Sequence, residues 1–144
     1  MKSDAFMFVV LADQVSSRAA ADRVPAALDR LAQSIGVRAV LGFERTAGDE
    51  VQGLIADPGS VVAAVVELTR LGDWRVGIGA GGVETPLPSS TREARGGAYL
   101  AAREAIGAAR YSPTELALAL SSSDLTAIVS AAGYGEQAAA VADA

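Results

Sequence analysis

The chain has 144 residues, of which 51% are hydrophobic and 5% aromatic, and its formal net charge is −5. This length suits one domain with an aliphatic core, so we expect a single domain over residues 1–144. The acidic balance argues against direct nucleic-acid binding and against anionic membranes, because both attract basic surfaces. The chain contains no Cys and no His. Any metal site is therefore built from oxygen ligands, which favours Mg²⁺, Mn²⁺ or Ca²⁺.

The first quarter of the chain predicts a strand followed by a helix. Residues 5–12 form a short apolar run, which is typical of a strand buried on both faces. Ser17 is a candidate N-cap for a helix that runs to about residue 34. Pro25 falls inside this helical pattern, so it predicts either a kink or a restart of the helix there.

The next segment predicts a β-hairpin and a second helix. Residues 37–46 and 51–56 read as strands, and the Gly-Asp turn at 47–49 joins them. Residues 57–59 carry Pro and Gly and predict a loop. Residues 60–71 predict a helix with a valine-rich buried stripe.

The remaining segments add further strands and helices. We predict a strand at 74–80, a polar loop at 85–95 and an alanine-rich helix at 97–110. A last strand is predicted at 116–120, and a short helix at 124–132.

The order of these elements predicts an α+β fold of the ferredoxin-like split type, β-α-β-β-α-β, with an added C-terminal β-α segment. Its core would span about residues 5–110, and residues 111–144 would be an extension. We expect the helices to cover one face of the sheet. No signal pattern and no apolar run of about 18 residues is present, so we expect a cytoplasmic protein.

Two aspartates are candidates for a metal site. Asp13 follows the first strand and Asp49 lies at the hairpin tip. In a split sheet the first strand neighbours the third, which places both carboxylates near one pocket. Adjacent carboxylates repel each other unless a cation lies between them, and Glu50 is a candidate third ligand or base. Alternatively, Asp13 caps a turn and Asp49 only shapes the bend.

Four segments together resemble a known group of proteins. Residues 12–18 resemble the "ADIVGSR" opening of the SatD-like family, and residues 46–54 resemble its "GDEFQ" hairpin. The Gly-Asp-Glu core of that hairpin also resembles diguanylate cyclase (GGDEF) domains. Residues 75–81 and 97–103 resemble the "RIGIHTG" strand and the following helix of class III nucleotidyl cyclases. The resemblance implies the palm domain of these cyclases.

The resemblance implies a role for each matching residue. Asp13 and Asp49 correspond to the two metal-binding aspartates, which hold Mg²⁺ or Mn²⁺ in the family. Gln14 would offer its backbone carbonyl to the metal. Arg103 corresponds to the arginine that stabilises developing phosphate charge in the transition state.

Two further arginines match nucleotide-binding positions of the family. Arg45 lies where cyclases often carry a base-selecting lysine, and Arg18 would meet a phosphate near the first helix. Cyclase palms act as dimers, so the resemblance also implies a homodimer.

The sequence departs from the cyclase pattern at the position that orients the ribose. Tyr99 stands where the cyclase helix carries an asparagine, and Gly79 stands where the strand usually carries a histidine. Ala47 and Val51 replace two members of the diguanylate cyclase motif. These departures put ordinary cyclisation of a nucleotide in doubt.

Two functions are compatible with these observations. The first is a divalent-metal-dependent domain that binds a nucleoside triphosphate, and either acts on it or senses it. The alternative is a non-catalytic regulatory or scaffolding domain that presents the same fold to a protein partner.

Overall fold

The computed structural model describes residues 3–15 and 21–121. Ser17, Arg18 and the predicted helix at 124–132 lie outside these residues. The described part contains two short 3₁₀ turns, Gly36–Arg38 and Thr91–Glu93, and eight longer elements: β1 (Ser3–Gln14), α1 (Val24–Ile35), β2 (Ala39–Ala47), β3 (Glu50–Ile55), α2 (Pro58–Leu71), β4 (Trp74–Thr85), α3 (Gly97–Ala109) and β5 (Leu116–Leu120).

The strands form one five-stranded mixed sheet in the order β2-β3-β1-β4-β5. The pairs β2–β3, β3–β1 and β1–β4 are antiparallel, and β5 runs parallel to β4. The fold is therefore α+β, as predicted, and its first four strands are compatible with a ferredoxin-like arrangement. The strand predicted at 116–120 is confirmed, and it belongs to the same sheet as the core.

One face of the sheet carries an aliphatic core beneath α1 and α2. Because side chains alternate along a strand, Val10 and Ala12 of β1 point to this face. There they meet Leu31 of α1 and Leu68 of α2. Trp74 is also buried on this side. This face is built mainly from branched aliphatic side chains.

The opposite face is covered by α3, so the prediction that the helices lie on one face is wrong. Val9 and Leu11 of β1 pack there against α3. The cause is a close approach between the helix and β4. A Cβ atom on Gly77 would collide with the backbone of Ile106, and one on Gly79 with the backbone at Ala102. Glycine in β4 and alanine in α3 let the two backbones touch.

The predicted start of the first helix is also wrong. The described residues 21–23 are not helical, and α1 begins at Val24 with Pro25 in its first turn. Proline favours this position because it lacks the N–H that would be unpaired there. The carboxylate of Asp22 accepts a hydrogen bond from the Val24 N–H at 3.0 Å. Pro25 therefore lies at the beginning of a helix and does not kink one.

The other element boundaries differ from the predictions by smaller amounts. Asp57, predicted in a loop, caps α2 by accepting a hydrogen bond from the Ser60 N–H at 2.8 Å. The strand β4 continues five residues past the predicted end, because residues 81–85 pair with the first residues of β1.

Candidate functional site

Three charged side chains lie side by side on the α3 face of the sheet. In the strand register, Asp13 of β1 pairs with Glu50 of β3 on one side and with Arg75 of β4 on the other. Directly paired residues point to the same face of a sheet. Asp13 follows Val9 and Leu11 at intervals of two, so the row lies at the end of the core beneath α3.

The hairpin tip is fixed beside the end of β1. Gly48 adopts a φ of 32°, in the left-handed region that favours glycine, and so turns the chain between β2 and β3. The Gln14 N–H donates a hydrogen bond to the Asp49 carbonyl at 3.1 Å. This bond holds Asp49 next to Asp13, as the split topology predicted.

A pocket of about 490 Å³ opens at this point. Its volume is within the range of small-molecule sites. The sheet and hairpin contribute acids to its wall, and α3 with the turn after it contributes basic, apolar and aromatic groups. The lining residues are Asp13, Asp49, Glu50, Arg103, Ile106, Gly107, Arg110 and Tyr111.

Asp13 lies in a partly desolvated, charged environment. Its Oδ1 accepts a hydrogen bond from Arg75 Nη1 at 3.1 Å, and both side chains are mostly buried. Burial raises the pKa of the Asp13 carboxyl, and the nearby Asp49 carboxylate raises it further, while Arg75 and Arg110 act against the shift. A second cation close to Asp13 would stabilise its ionised form.

Glu50 and Arg103 form a two-pronged ion pair that joins β3 to α3. Arg103 Nη1 lies 2.7 Å from Oε2 of Glu50, and Nη2 lies 3.0 Å from Oε1. Thr46 donates to Oε1 at 2.6 Å. Burial alone would raise the pKa of Glu50, but the hydrogen bonds from Arg103 and Thr46 outweigh it and hold the pKa below its ordinary value. The hydrogen bonds to Glu50 raise the pKa of Arg103.

The carboxylates of Asp13 and Asp49 are the residues of this pocket that could hold a divalent cation. Among the described residues, the Asp49 carboxylate makes no hydrogen bond or ion pair. Within that part of the chain no cluster of three metal-ligating side chains is present. Mg²⁺ commonly takes one or two carboxylates and completes its shell with water and phosphate oxygens.

The side chain of Gln14 points away from this pocket. It faces the α1 side, where Nε2 donates to the Ala21 carbonyl at 2.7 Å and Oε1 accepts from the Arg23 N–H at 2.9 Å. Gln14 is nearly fully buried and anchors the segment that leads into α1. The role predicted for it concerned its backbone carbonyl, and that role stays a prediction.

Arg45 is likewise not part of the pocket lining. It pairs with Val51, whose side chain is in the core beneath α1 and α2. Its Nη2 lies 2.7 Å from Oδ2 of Asp22, just ahead of α1. Arg18 lies outside the described residues. The pocket therefore joins Asp13, Asp49, Glu50 and Arg103 of the predicted set.

The hydroxyl of Tyr99 belongs to a hydrogen-bonded group of polar side chains outside the pocket lining. The Tyr99 and Thr91 hydroxyl oxygens are 3.0 Å apart, and Gln52 Nε2 donates to Thr91 Oγ1 at 3.0 Å. Burial raises the pKa of Tyr99, although its hydrogen bonds oppose the shift. The residue at the expected ribose-orienting position thus braces α3 against β3 and the Thr91 turn.

The charged and aromatic residues of the site that were missed from the sequence are Arg75, Arg110 and Tyr111, and the lining residues Ile106 and Gly107 were missed as well. Arg110 had a detectable signal, since it follows Arg103 by seven residues and so lies on the same helix face. Arg75 depends on the β1–β4 register, which single-sequence patterns do not supply. Tyr111 lies in a turn just past α3, where exposed side chains carry no periodic signal.

The chain matches no protein-family model, and no curated protein matches it. The resemblance to SatD-like proteins and cyclase palms accordingly stays a prediction. Among residues 3–15 and 21–121, no helix is both long enough and apolar enough to cross a membrane.

Proposed function

We propose that this pocket binds a nucleoside triphosphate together with Mg²⁺ or Mn²⁺, in a palm domain of the nucleotidyl cyclase type. The observation that carries the proposal is the meeting of Asp13 and Asp49 with Arg103 and Arg110 in a single pocket. Carboxylates bind the cation, and guanidinium groups bind phosphate oxygens.

The balance of charge makes nucleotide binding depend on the metal. Three carboxylates at the pocket are matched by the guanidinium groups of Arg75, Arg103 and Arg110. A polyphosphate therefore meets little net attraction in the absence of metal. A divalent cation between Asp13 and Asp49 gives the pocket an excess of positive charge, which attracts phosphate.

Binding and sensing are better supported than ordinary 3′,5′-cyclisation. Cyclisation requires the ribose to be oriented, and in the resembled cyclases an asparagine side chain does this. Here that position is Tyr99, whose hydroxyl is hydrogen-bonded to Thr91. Arg103 would meet phosphate only after it leaves or shares Glu50. We therefore propose a nucleotide-responsive domain whose residual turnover, if present, is slow.

Calorimetric titration with ATP, GTP, CTP and UTP, each with and without Mn²⁺, tests the proposal. We expect heat of binding only when metal and nucleotide are both present. Asp49→Asn should weaken this binding at least tenfold, because the variant keeps the turn and removes a metal ligand. Asp29→Asn, on the exposed surface of α1, is the matched control and should bind like the parent. Equal binding by the Asp49 variant would contradict the metal site.

A protein-binding role is the second candidate, and exposed apolar side chains at the sheet edge favour it. Leu116, Leu118 and Leu120 of β5 are 37%, 63% and 42% exposed, and they share a face with Val76 and Ile78 of β4. The edge strand carries no charged residue that would discourage pairing. On this alternative the partner is a second copy of the chain.

Sedimentation equilibrium distinguishes the two candidates. If the fold serves only as a scaffold, neutralising Asp13 and Asp49 together should leave self-association unchanged, whereas Leu118→Glu should abolish it. Metal-dependent nucleotide binding that survives Leu118→Glu would assign the pocket, rather than the edge strand, as the functional feature.

A further inference from the structure

One face of α3 leaves an indentation inside the pocket. Arg103 and Gly107 are four residues apart in α3 and so lie on one helix face, and Tyr111, in the turn after the helix, lines the same pocket. A Cβ atom on Gly107 would meet no heavy atom within 4 Å. The helix therefore presents open space at Gly107, in a pocket that Arg103 and Tyr111 also line.

Tyr111 combines a fixed backbone with an almost fully exposed ring. Its N–H donates to the Ala108 carbonyl at 3.0 Å, and the next N–H, of Ser112, donates to the Ala109 carbonyl at 3.1 Å. The residue is 90% exposed. Among the described residues its side chain makes no hydrogen bond or ring contact. A flat apolar surface at a pocket rim gains free energy when another ring covers it.

The opposite end of the pocket is polar. Arg103 contacts the Glu50 carboxylate through both Nη atoms, and Arg110 lines the same pocket as Asp13 and Asp49. The pocket thus combines charged groups at the sheet with an exposed aromatic ring just after α3. A ligand that matches both ends carries an anionic group at one end and a planar ring at the other.

We propose that the ring of the ligand stacks on Tyr111 above the gap at Gly107, while its phosphates reach towards Arg103 and Arg110. This inference rests on the proposed function and assigns a base-binding subsite to that pocket. Stacking on an aromatic side chain tolerates any base, because every base has a π-face. The subsite therefore selects ring-bearing polyphosphates over inorganic ones, without strong preference among the bases.

The first test compares two probes, ATP and inorganic tripolyphosphate, each titrated with Mn²⁺ into the full chain. Tyr111→Leu should weaken ATP binding about tenfold or more, because stacking on an aromatic ring is lost. The same variant should bind tripolyphosphate like the parent. Tyr111→Phe keeps the ring and should bind ATP like the parent.

The second test fills the gap. Gly107→Leu adds a side chain in open space, and leucine favours a helix more than glycine does. The variant should therefore unfold at the same temperature as the parent or at a higher one. We expect this variant to lose ATP affinity more strongly than tripolyphosphate affinity.

The outcomes separate this inference from the proposed function. If ATP and tripolyphosphate bind the parent equally, or if Tyr111→Leu and Gly107→Leu both bind ATP like the parent, the stacking subsite is overturned while the metal and phosphate site stands. If neither probe binds the parent in the presence of Mn²⁺, the proposed function fails, and the stacking subsite fails with it.

Discussion

The two faces of the sheet are packed by different means. Beneath α1 and α2, large side chains such as Leu31 and Leu68 fill the space between helix and strand. Beneath α3, the helix lies directly on the backbone of β4, because Gly77 and Gly79 have no side chains and the helix presents alanines. The first face stabilises the fold by burying apolar side chains, whereas the close backbone contact on the second face fixes the position of α3.

This difference explains where charged groups are found. The helix α3 packs on β4 and also contacts β1 and β5. At the end of the sheet Arg103 reaches from this helix to Glu50 of β3, and Arg110 lines the same pocket as Asp13. The charged site is therefore supported by a close backbone contact and does not interrupt the aliphatic core on the opposite face.

The largest expected effect on stability follows from truncating the aliphatic face. Leu68 is fully buried in α2, so Leu68→Ala should lower the free energy of unfolding by about 2–5 kcal/mol, through lost burial and a new cavity. Leu100→Ala removes the same atoms from an exposed site on α3, so it should change the free energy of unfolding by about 0.5 kcal/mol or less. Urea unfolding measures both. Similar losses in the two variants would contradict the assigned core.

An intermediate effect is expected from enlarging a residue on the other face. The added methyl group of Gly79→Ala meets the backbone of α3 at Ala98 and Ala102, so the helix must move away from β4. Overpacking of this kind typically costs about 1–3 kcal/mol. The displacement should also weaken metal-dependent nucleotide binding, because Arg103 moves with the helix.

Gly42→Ala, in β2, is the control for this variant, since its Cβ meets no heavy atom within 4 Å. It should unfold and bind nucleotide like the parent. If Gly79→Ala lost stability but kept full binding, the close contact between α3 and β4 would not be what positions the site.

The smallest expected effect concerns the charge of Glu50. The pKa of Glu50 is held below its ordinary value of 4.5 in the folded chain, so its ionised form stabilises the fold above that pH. This stabilisation is lost as the pH falls from about 4.5 through the lower folded pKa. Because Arg103 is 60% exposed, we expect the contribution to be no more than about 1 kcal/mol.

Unfolding of the parent and Glu50→Gln between pH 3 and pH 7, without metal, measures this contribution. The stability advantage of the parent over the variant should decrease as the pH falls from about 4.5 and should be largest at pH 7. Asp13 acts with the opposite sign: its pKa is raised, so its stabilisation is complete below 3.8 and is lost as the pH rises. Because both chains contain Asp13, its contribution cancels when the free energies of unfolding of the parent and the variant are subtracted. A stabilisation of the parent over the variant that grew towards low pH would contradict the ion pair.

The sequence predicted the acidic side of the site well. The order of strands and helices alone places the tip of the β2–β3 hairpin beside the end of β1, so the proximity of Asp13 and Asp49 follows from connectivity. Local patterns also located the hairpin and β5. These features depend on apolar runs, turn residues and topological rules, which are all written along the chain.

The packing of α3 and the partners of the acids could not be predicted in the same way. Gly77 and Gly79 indicate a close backbone approach, but a glycine has no side chain to show which face is approached. The pairing of Asp13 with Arg75 depends on the β1–β4 register. The pairing of Glu50 with Arg103 depends on the distance between α3 and the sheet. Such distances arise from tertiary contacts rather than from local patterns.

The most direct test of the central claim is the anomalous diffraction signal of manganese in crystals grown with Mn²⁺ and a non-hydrolysable nucleoside triphosphate. We predict a manganese peak between the carboxylates of Asp13 and Asp49, with phosphate density on the side of Arg103 and Arg110. Empty density between these carboxylates, or nucleotide and metal bound at another surface of the chain, would contradict the account.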